Sequence, residues 1–353
     1  MSGTSCDGLT ICALQPKPFK ILTFKNYDYP AALQKRLLRA PELRAAELSA
    51  LNFELGKLYA QKTALFLKSA GLKQTDIFCA GMHGQTIYHG PEDKTPNTLQ
   101  IAEPAFLAEM LGQPVVSHFR ERDMALGGQG APLMPFFDEY VFGRGKPKIL
   151  LNLGGISNIS VVGKGVKTFG FDCGPANTLM DLACEKFLNK PFDKNGREAA
   201  KGTVDKMLVR QLLRQKYFLQ KPPKSLDKND FGSEYLEKYF STFGPRRVPD
   251  LLATLNYFTA ATVADALTRF VPAQYRKEII VSGGGTFNPV LLDNLRRLTG
   301  LPVIPSEQAG IDPQAKEAAA FALMGWLALR GQNNHCARAT GARKNAVLGQ
   351  ITL

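Results

Sequence analysis

Three glycine-rich turns limit what this chain can fold into: GTSCDG from residue 3, NLGGISN at residues 152–158 and SGGGTFN at residues 282–288. Each adjoins a short apolar run, LTICAL after the first, KPKILL before the second and KEIIV before the third. The first two read as strand–turn–strand loops that open the two halves of the chain. The third follows a late strand and precedes the helix NPVLLDNLRRLTG. Glycine reaches positive φ and lets the backbone approach an anion closely. Consecutive N–H groups in such a turn form an anion-binding nest. Thr4, Ser5 and Ser157 add hydroxyls, and Asp7 supplies a carboxylate able to hold magnesium, directly or through water. Neither GxxxxGK[ST] nor a clean GxGxxG occurs. One such turn alone is weak evidence; the arrangement of three points to a nucleotide in a cleft, contacted from two domains.

Between the turns, strand and helix patterns alternate, the mark of an α/β protein. Residues 30–70 repeat apolar positions at three and four and stop at Gly71, a C-cap. DIFCAGMHG reads as a strand followed by a loop, EPAFLAEMLG as a short helix and QPVVSHF as a strand. ALGGQGAPLMP has no strong period and reads as the crossing between domains. Three short strands follow, KPKILLNLGG, SNISVVGKG and VKTFGFDCG, then the helix PANTLMDLACEKFL with Pro175 near its first position. ATLNYFTAATVADALTRFV and PQAKEAAAFALMGWLALRG are long helices. A length of 353 residues suits two domains.

The net charge of +13 raises nucleic acid as a partner. The charge is spread, however, with dense runs only in KPPKSLDK, FGPRRVPD and ARATGARK, and no aromatic–basic pattern accompanies them. A basic surface that attracts small anions is the milder account, and no nucleic acid is expected. No apolar run approaches the ~18 residues that cross a bilayer, and the N-terminus lacks a signal-peptide pattern, so neither membrane nor export is expected. Cys6, Cys12, Cys79, Cys173, Cys184 and Cys336 form no CxxC pair. His83, His89, His118 and His335 form no HxxxH. A zinc site and a disulfide framework are not expected, and the reading is a reduced cytoplasmic protein.

Among acidic residues, Asp172 in FGFDCGPAN stands at a strand end just before a helix. The residues alone leave two roles open, N-cap of that helix or a carboxylate whose ionised form the helix N-terminus favours. Glu317 reads on composition as a solvated helix residue, Arg120 as a surface arginine suited to a bidentate carboxylate, and His83 as a hydrogen-bonded structural histidine.

The segments SGTSCDG, HGQTI, FRERD…GGQGAPL, LNLGGISNIS, GFDCGPAN, SGGGTFN and TGA…AVLGQI, in order over essentially the whole chain, resemble the anhydro-N-acetylmuramic acid kinase family of the sugar kinase/Hsp70/actin superfamily. As a set they are specific, whereas any single one is not. The resemblance implies a two-domain, actin-like (ribonuclease H-like) α/β kinase fold with a nucleotide cleft between the domains. Residues 1–127 plus about 336–353 would form the N-terminal domain, with the phosphate-1 loop and part of the sugar site. Residues 128–335 would form the C-terminal domain, with the phosphate-2 loop, the catalytic Asp and the adenosine loop.

The implied cofactors are ATP with Mg2+. ATP contacts fall on Gly3, Thr4, Ser5, Cys6, Asp7, Gly8, Leu9, Thr10, Gly154, Gly155, Ser157, Asn158, Gly283, Gly284, Gly285 and Asn288, with Asp7 holding Mg2+ through water. Substrate contacts fall on His83, Thr98, Gln100, Arg120, Gly174, Asn177 and Glu317, with Arg120 on the lactyl carboxylate. Asp172 becomes the general base that activates a water to attack the anomeric carbon while the 6-oxygen takes the γ-phosphoryl group. The products are N-acetylmuramic acid 6-phosphate and ADP, in peptidoglycan recycling, and the enzyme is expected as a homodimer. The alternatives are a nucleotide-driven binding protein of the Hsp70 or actin type, another actin-like sugar kinase, and an ATP-independent glycoside hydrolase using Asp172 and Glu317. Neither an appended peptide-binding domain nor a long interface insert is visible, and the hydrolase leaves the three turns unexplained.

Departures from the family pattern are few. Cys6 stands for a larger apolar residue, Thr10 for an acidic one, and IAEP interrupts a usual glycine. Family members also have a short strand leading into MSGTS. An in-frame upstream segment of about six to ten residues with a strand pattern is therefore expected. Without it, about three buried apolar side chains at ~1.5–3 kcal/mol each would be lost.

Overall fold

A computed structural model of the chain describes residues 1–3, 6–222, 224–226 and 228–353, without the side chains of Lys228, Asn229 and Arg246. The chain forms two compact units, Met1–Phe137 with Gln314–Leu353, and Asp138–Pro313.

The first unit opens on the antiparallel hairpin β1 (Gly8–Pro16) and β2 (Phe19–Asp28). The helical stretch that follows is broken into α1 (Ala31–Leu38) and α2 (Ala45–Ala70). Pro41, in a short 3-10 turn at Ala40–Glu42, explains the break, since proline lacks the N–H that a helix interior needs. As expected, α2 ends on Gly71 in the left-handed region, φ 68°. Next come β3 (Ala80–Gly81), β4 (Gln85–Gly90), β5 (Asn97–Ile101), α3 (Ala105–Leu111), β6 (Val115–Ser117) and α4 (Phe119–Ala125). β4 and β5 form an antiparallel hairpin where the sequence reads as a loop.

The helix α5 (Met134–Phe142) leads into the second unit. There the chain runs through β7 (Lys148–Leu153), β8 (Ile156–Val162), β9 (Phe169–Pro175), α6 (Asn177–Leu188), α7 (Lys206–Leu212), α8 (Lys216–Leu219), α9 (Ser233–Phe240), α10 (Val248–Phe270), β10 (Ile279–Ser282), α11 (Pro289–Thr299) and β11 (Val303–Pro305). The strands form one sheet in the order β11-β10-β7-β8-β9. β10 is parallel to β7 and β11, and β8 is antiparallel to both its neighbours. β7 and β10 are central, which is why their sequences are nearly unbroken apolar runs. Ile149, Leu151, Ile279 and Val281 are fully buried. α10 packs on β9, α6 and α11, and its apolar residues lie on most of its faces because it is the inner helix of this unit.

The chain then returns to the first unit with α12 (Lys316–Leu329), α13 (Ala337–Thr340) and β12 (Gln350–Thr352). β12 completes a three-stranded sheet in the order β12-β6-β3. α12 packs on β1, β3 and β6, so close to β3 that a Cβ on Gly325 would lie 2.9 Å from the Cα of Gly81. The compact units divide at 137/138 and 313/314, where the sequence reading has 127/128 and about 335/336. On the free edge of β1, Met1 and Thr10 exchange both main-chain hydrogen bonds at 2.9 Å. Beyond that pair, the edges of β1 and β3 line a cavity of about 390 Å³.

Candidate active site

In the first unit, the turn before β1 is built on Gln85 of β4, which is fully buried. Its amide nitrogen donates to the Gly3 carbonyl at 3.1 Å and to Cys6 Sγ at 3.3 Å. Ser2 Oγ donates to Gln85 Oε1 at 2.5 Å and lies 2.9 Å from the Gly8 carbonyl. Cys6 is buried and takes φ 53°, the left-handed region. Gly8 has no room for a side chain, because a Cβ would sit 2.6 Å from the Tyr27 carbonyl oxygen. Thr4 and Ser5 lie outside the described residues. Asp7 is exposed, and its carboxylate has no hydrogen bond or ion pair among the described residues. That donor fits a hydrated hard cation. Leu9 belongs to the core, and the Thr10 hydroxyl is engaged with Asn26 at 2.8 Å.

In the second unit, the two other turns meet. The N–H groups of Ala176 and Asn177 donate to the carbonyls of Gly155 and Gly154 at 2.8 and 2.9 Å, so the β7–β8 turn covers the start of α6. Asn177 Nδ2 bonds the Leu153 carbonyl at 3.0 Å. A Cβ on Gly283, φ 84°, would lie 2.7 Å from Asn152 Oδ1, and one on Gly285 would lie 3.3 Å from Asn177 Oδ1. Asn177, expected at the substrate, therefore stands with the glycine turns. Asn288 caps α11 by accepting from the Leu291 N–H at 3.1 Å. Two expected contacts are engaged within the protein. The Ser157 hydroxyl is fully buried and donates to the Gly174 carbonyl at 3.0 Å. Gly174 is buried against α10, where a Cβ would meet Thr262 at 2.9 Å.

Strand register places Ser282, Asn152, Asn158 and Asp172 side by side across β10, β7, β8 and β9. Directly paired residues share a face, so a polar row across four strands ends in Asp172. Pro175 is the last residue of β9 rather than the first of α6, and the N-cap is Ala176. Asp172 is therefore no cap. Burial pushes its carboxyl up to about 6, against the Leu226 N–H and the nearby Lys224 charge. Desolvation is the largest influence on it.

The remaining candidates lie in the first unit. His83 is buried; its Nδ1 lies 3.1 Å from the Gly84 carbonyl, and its Nε2 accepts from Arg120 Nε at 3.1 Å. These partners fix the neutral tautomer. Burial and the Arg120 charge hold His83 well below the usual histidine range. Burial lowers Arg120 to about 10, opposed by Glu317 and Glu121, so it stays charged near neutrality. Among the described residues its terminal nitrogens carry no hydrogen bond, and a planar fork of that kind suits a carboxylate. The Glu317 side chain keeps solvent-accessible area yet is hemmed in by protein, which raises its carboxyl against the pull of Lys316 and Arg120.

Gln100 donates to Thr98 Oγ1 at 2.8 Å, and Thr98 Oγ1 lies 3.0 Å from His89 Nδ1. The Gln100 Oε1 is buried without a partner among the described residues. Sequence reasoning missed a further buried tie. Asp123 of α4 accepts from His335 at 2.6 Å, from Thr340 at 2.5 Å and from the Gly130 N–H at 2.6 Å. It thereby joins the GGQG turn to the returning segment. Its one sequence signal was the quoted FRERD…GGQGAPL and TGA motifs.

Backbone turns of this kind and a carboxyl poised near neutrality suit phosphoryl transfer to a small polar acceptor, and the chain is of the kinase class. A family model described as anhydro-N-acetylmuramic acid kinase matches residues 1–353, and the chain belongs to that family. The anhydro-N-acetylmuramic acid kinase of Caldanaerobacter subterraneus subsp. tengcongensis is 36% identical, covering 100% of this chain and 96% of that protein. Those of Vibrio cholerae and Neisseria gonorrhoeae are 36% and 39% identical, each covering 99% of this chain and 96% of the relative.

Proposed function

We propose that this chain uses ATP to open the 1,6-anhydro bridge of 1,6-anhydro-N-acetylmuramic acid and phosphorylate O6. The products are N-acetylmuramic acid 6-phosphate and ADP, in peptidoglycan recycling. The observation that carries the proposal is Asp172, with one carboxylate oxygen held by the Leu226 N–H and a proton affinity set near 6. A carboxyl so placed is ionised at neutral pH yet basic enough to take a proton from water. Water attacks the anomeric carbon and its proton passes to Asp172. The bridge bond breaks toward O6, and O6 forms its bond to the γ-phosphorus as ADP leaves.

The turns at residues 3–10, 154–158 and 283–288 bind the nucleotide through backbone N–H groups. Asp7 holds Mg2+ through water, and the ion supplies charge neutralisation to the phosphates. Arg120 takes the lactyl carboxylate, with His83 fixing its orientation. The unpartnered Gln100 Oε1 accepts from a sugar hydroxyl or the acetamido N–H. Glu317 belongs to the same sugar site. The family further implies a homodimer in the cytoplasm, and light scattering of the purified protein checks the former.

The deciding experiment measures ADP release and ring opening in parallel, with and without the anhydro-sugar. Sugar-dependent ADP release in step with ring opening supports the proposal. ATPase activity indifferent to sugar, or ring opening without ATP, rejects it.

A further inference from the structure

Three groups of Asp172 are tied to one segment of the second unit. Its N–H donates to the Lys224 carbonyl at 3.2 Å, its carbonyl accepts from the Tyr217 hydroxyl at 2.7 Å, and its Oδ2 accepts from the Leu226 N–H at 2.9 Å. β9 is the edge of its sheet, so residues 224–226 cover its open side at Asp172. Lys224 anchors that cover. Its side chain is only 8% exposed. Its ammonium donates to the Tyr217 carbonyl at 3.1 Å and lies 4.5, 4.8 and 5.8 Å from the ring centroids of Tyr217, Phe270 and Phe171. An ammonium in such a site keeps its charge through the ring faces and a nearby anion. Asp172 Oδ1 has no hydrogen bond among the described residues.

We propose that Lys224 is a positioning residue: seated among the three rings, it holds residues 224–226 against β9, so that the Leu226 N–H occupies Oδ2 and Oδ1 alone is left to accept the proton. The proposal rests on Asp172 being the base. Lys224 also favours the ionised form of Asp172 through its charge. The other titratable groups facing the pair are Tyr217 of α8, Cys173 of β9, Asp230, and Asp265 and Arg269 of α10. Burial holds Tyr217 and Cys173 neutral. Asp265 and Arg269 pair with each other at 2.6 Å, which leaves Lys224 as the cation that acts on Asp172.

The test is the pH profile of kcat with saturating ATP and anhydro-sugar. The wild-type acid limb should fall near pH 6. Lys224→Met keeps the stem and removes the charge. It should move that limb up by about one unit, so that at pH 6 the fraction of its own plateau rate falls about fivefold relative to wild type. The KM for ATP should stay within twofold, and Lys224→Arg should bring the limb back toward pH 6. Leu226→Pro removes the donor without touching Lys224 and should move the limb in the same direction, which keeps the test open if Lys224→Met does not fold. An acid limb that stays in place in the folded variants overturns the proposal, even where the melting temperature falls. Retention of full activity by Asp172→Asn would overturn the base reading beneath it.

Discussion

Two properties of Asp172 separate its chemistry from its cost. Asp172→Asn keeps an oxygen for the Leu226 N–H and removes the base. The rate should fall by about 10²–10⁴ or more, with ADP release and ring opening lost together in parallel assays. If ADP release persists while ring opening stops, the two steps are separable. The same substitution has an opposite effect on stability. The folded carboxyl sits near 6 against an ordinary 3.8, so the unfolded chain gives up its proton first as pH rises. Stability is intact below about pH 4 and is lost as pH climbs through 6, by a sum on the order of 3 kcal/mol. Urea unfolding should therefore show Asp172→Asn more stable than wild type at pH 7.5 and equal to it below pH 4.

Arg120→Ala should weaken the anhydro-sugar by roughly 10- to 150-fold, about 1.5–3 kcal/mol for a charge-assisted pair, and leave ATP within twofold by titration calorimetry. An equal loss of ATP affinity would move Arg120 to the phosphate side. At this scale the sequence showed the residues whose chemistry is intrinsic: a carboxylate near a strand end, an arginine, glycines in turns. It did not show Gln85, Asn152 or Lys224. Their roles come from what lies across a strand pair or beneath a loop, and nothing in their local sequence encodes that.

Helices were the most legible elements. α2 carries apolar positions spaced at three and four, α10 and α12 carry long, nearly unbroken apolar runs, and Gly71 marks a true C-cap. The β4–β5 hairpin was not legible, because its strands are short and part on a six-residue polar link, PEDKTP. Pro175 misled for a related reason: proline suits a first helical turn, but here its missing N–H ends a strand. Two left-handed glycines distinguish backbone strain from crowding. Gly71 has no atom within 4 Å of an added Cβ, whereas Gly283 would meet Asn152 Oδ1 at 2.7 Å and the Leu153 carbonyl at 2.8 Å. Gly71→Ala should cost ~1 kcal/mol. Gly283→Ala should cost ~1–3 kcal/mol from its backbone region alone, more with the clash, and raise the KM for ATP several-fold. Thermal unfolding and initial-rate kinetics check both, and a Gly283 variant no worse than the Gly71 variant would remove that turn from the nucleotide site.

For the whole molecule, an α/β class was legible from the alternation of patterns. The sequence reading places the last long helix in the second domain, and its packing on β1, β3 and β6 puts it in the first unit. The second unit is a single continuous stretch, Asp138–Pro313, whereas the first needs both ends of the chain. A fragment of residues 138–313 should therefore unfold cooperatively in urea, and a fragment of residues 1–137 should not. Matching non-cooperative profiles would show that neither unit stands alone.

The tie between Asp123 and the pair His335 and Thr340 also bears on the order of events during synthesis. A nascent chain emerges at roughly 5–20 residues per second, so Asp123 waits some ten seconds or more for its partners. Through that interval a carboxylate destined for the interior faces solvent, and the sheet that will receive β12 lacks a strand. The middle of the chain can reach its final state first, and the beginning must wait for the end. Slow translation of the last forty codons would prolong the life of a half-built first unit and leave the second untouched.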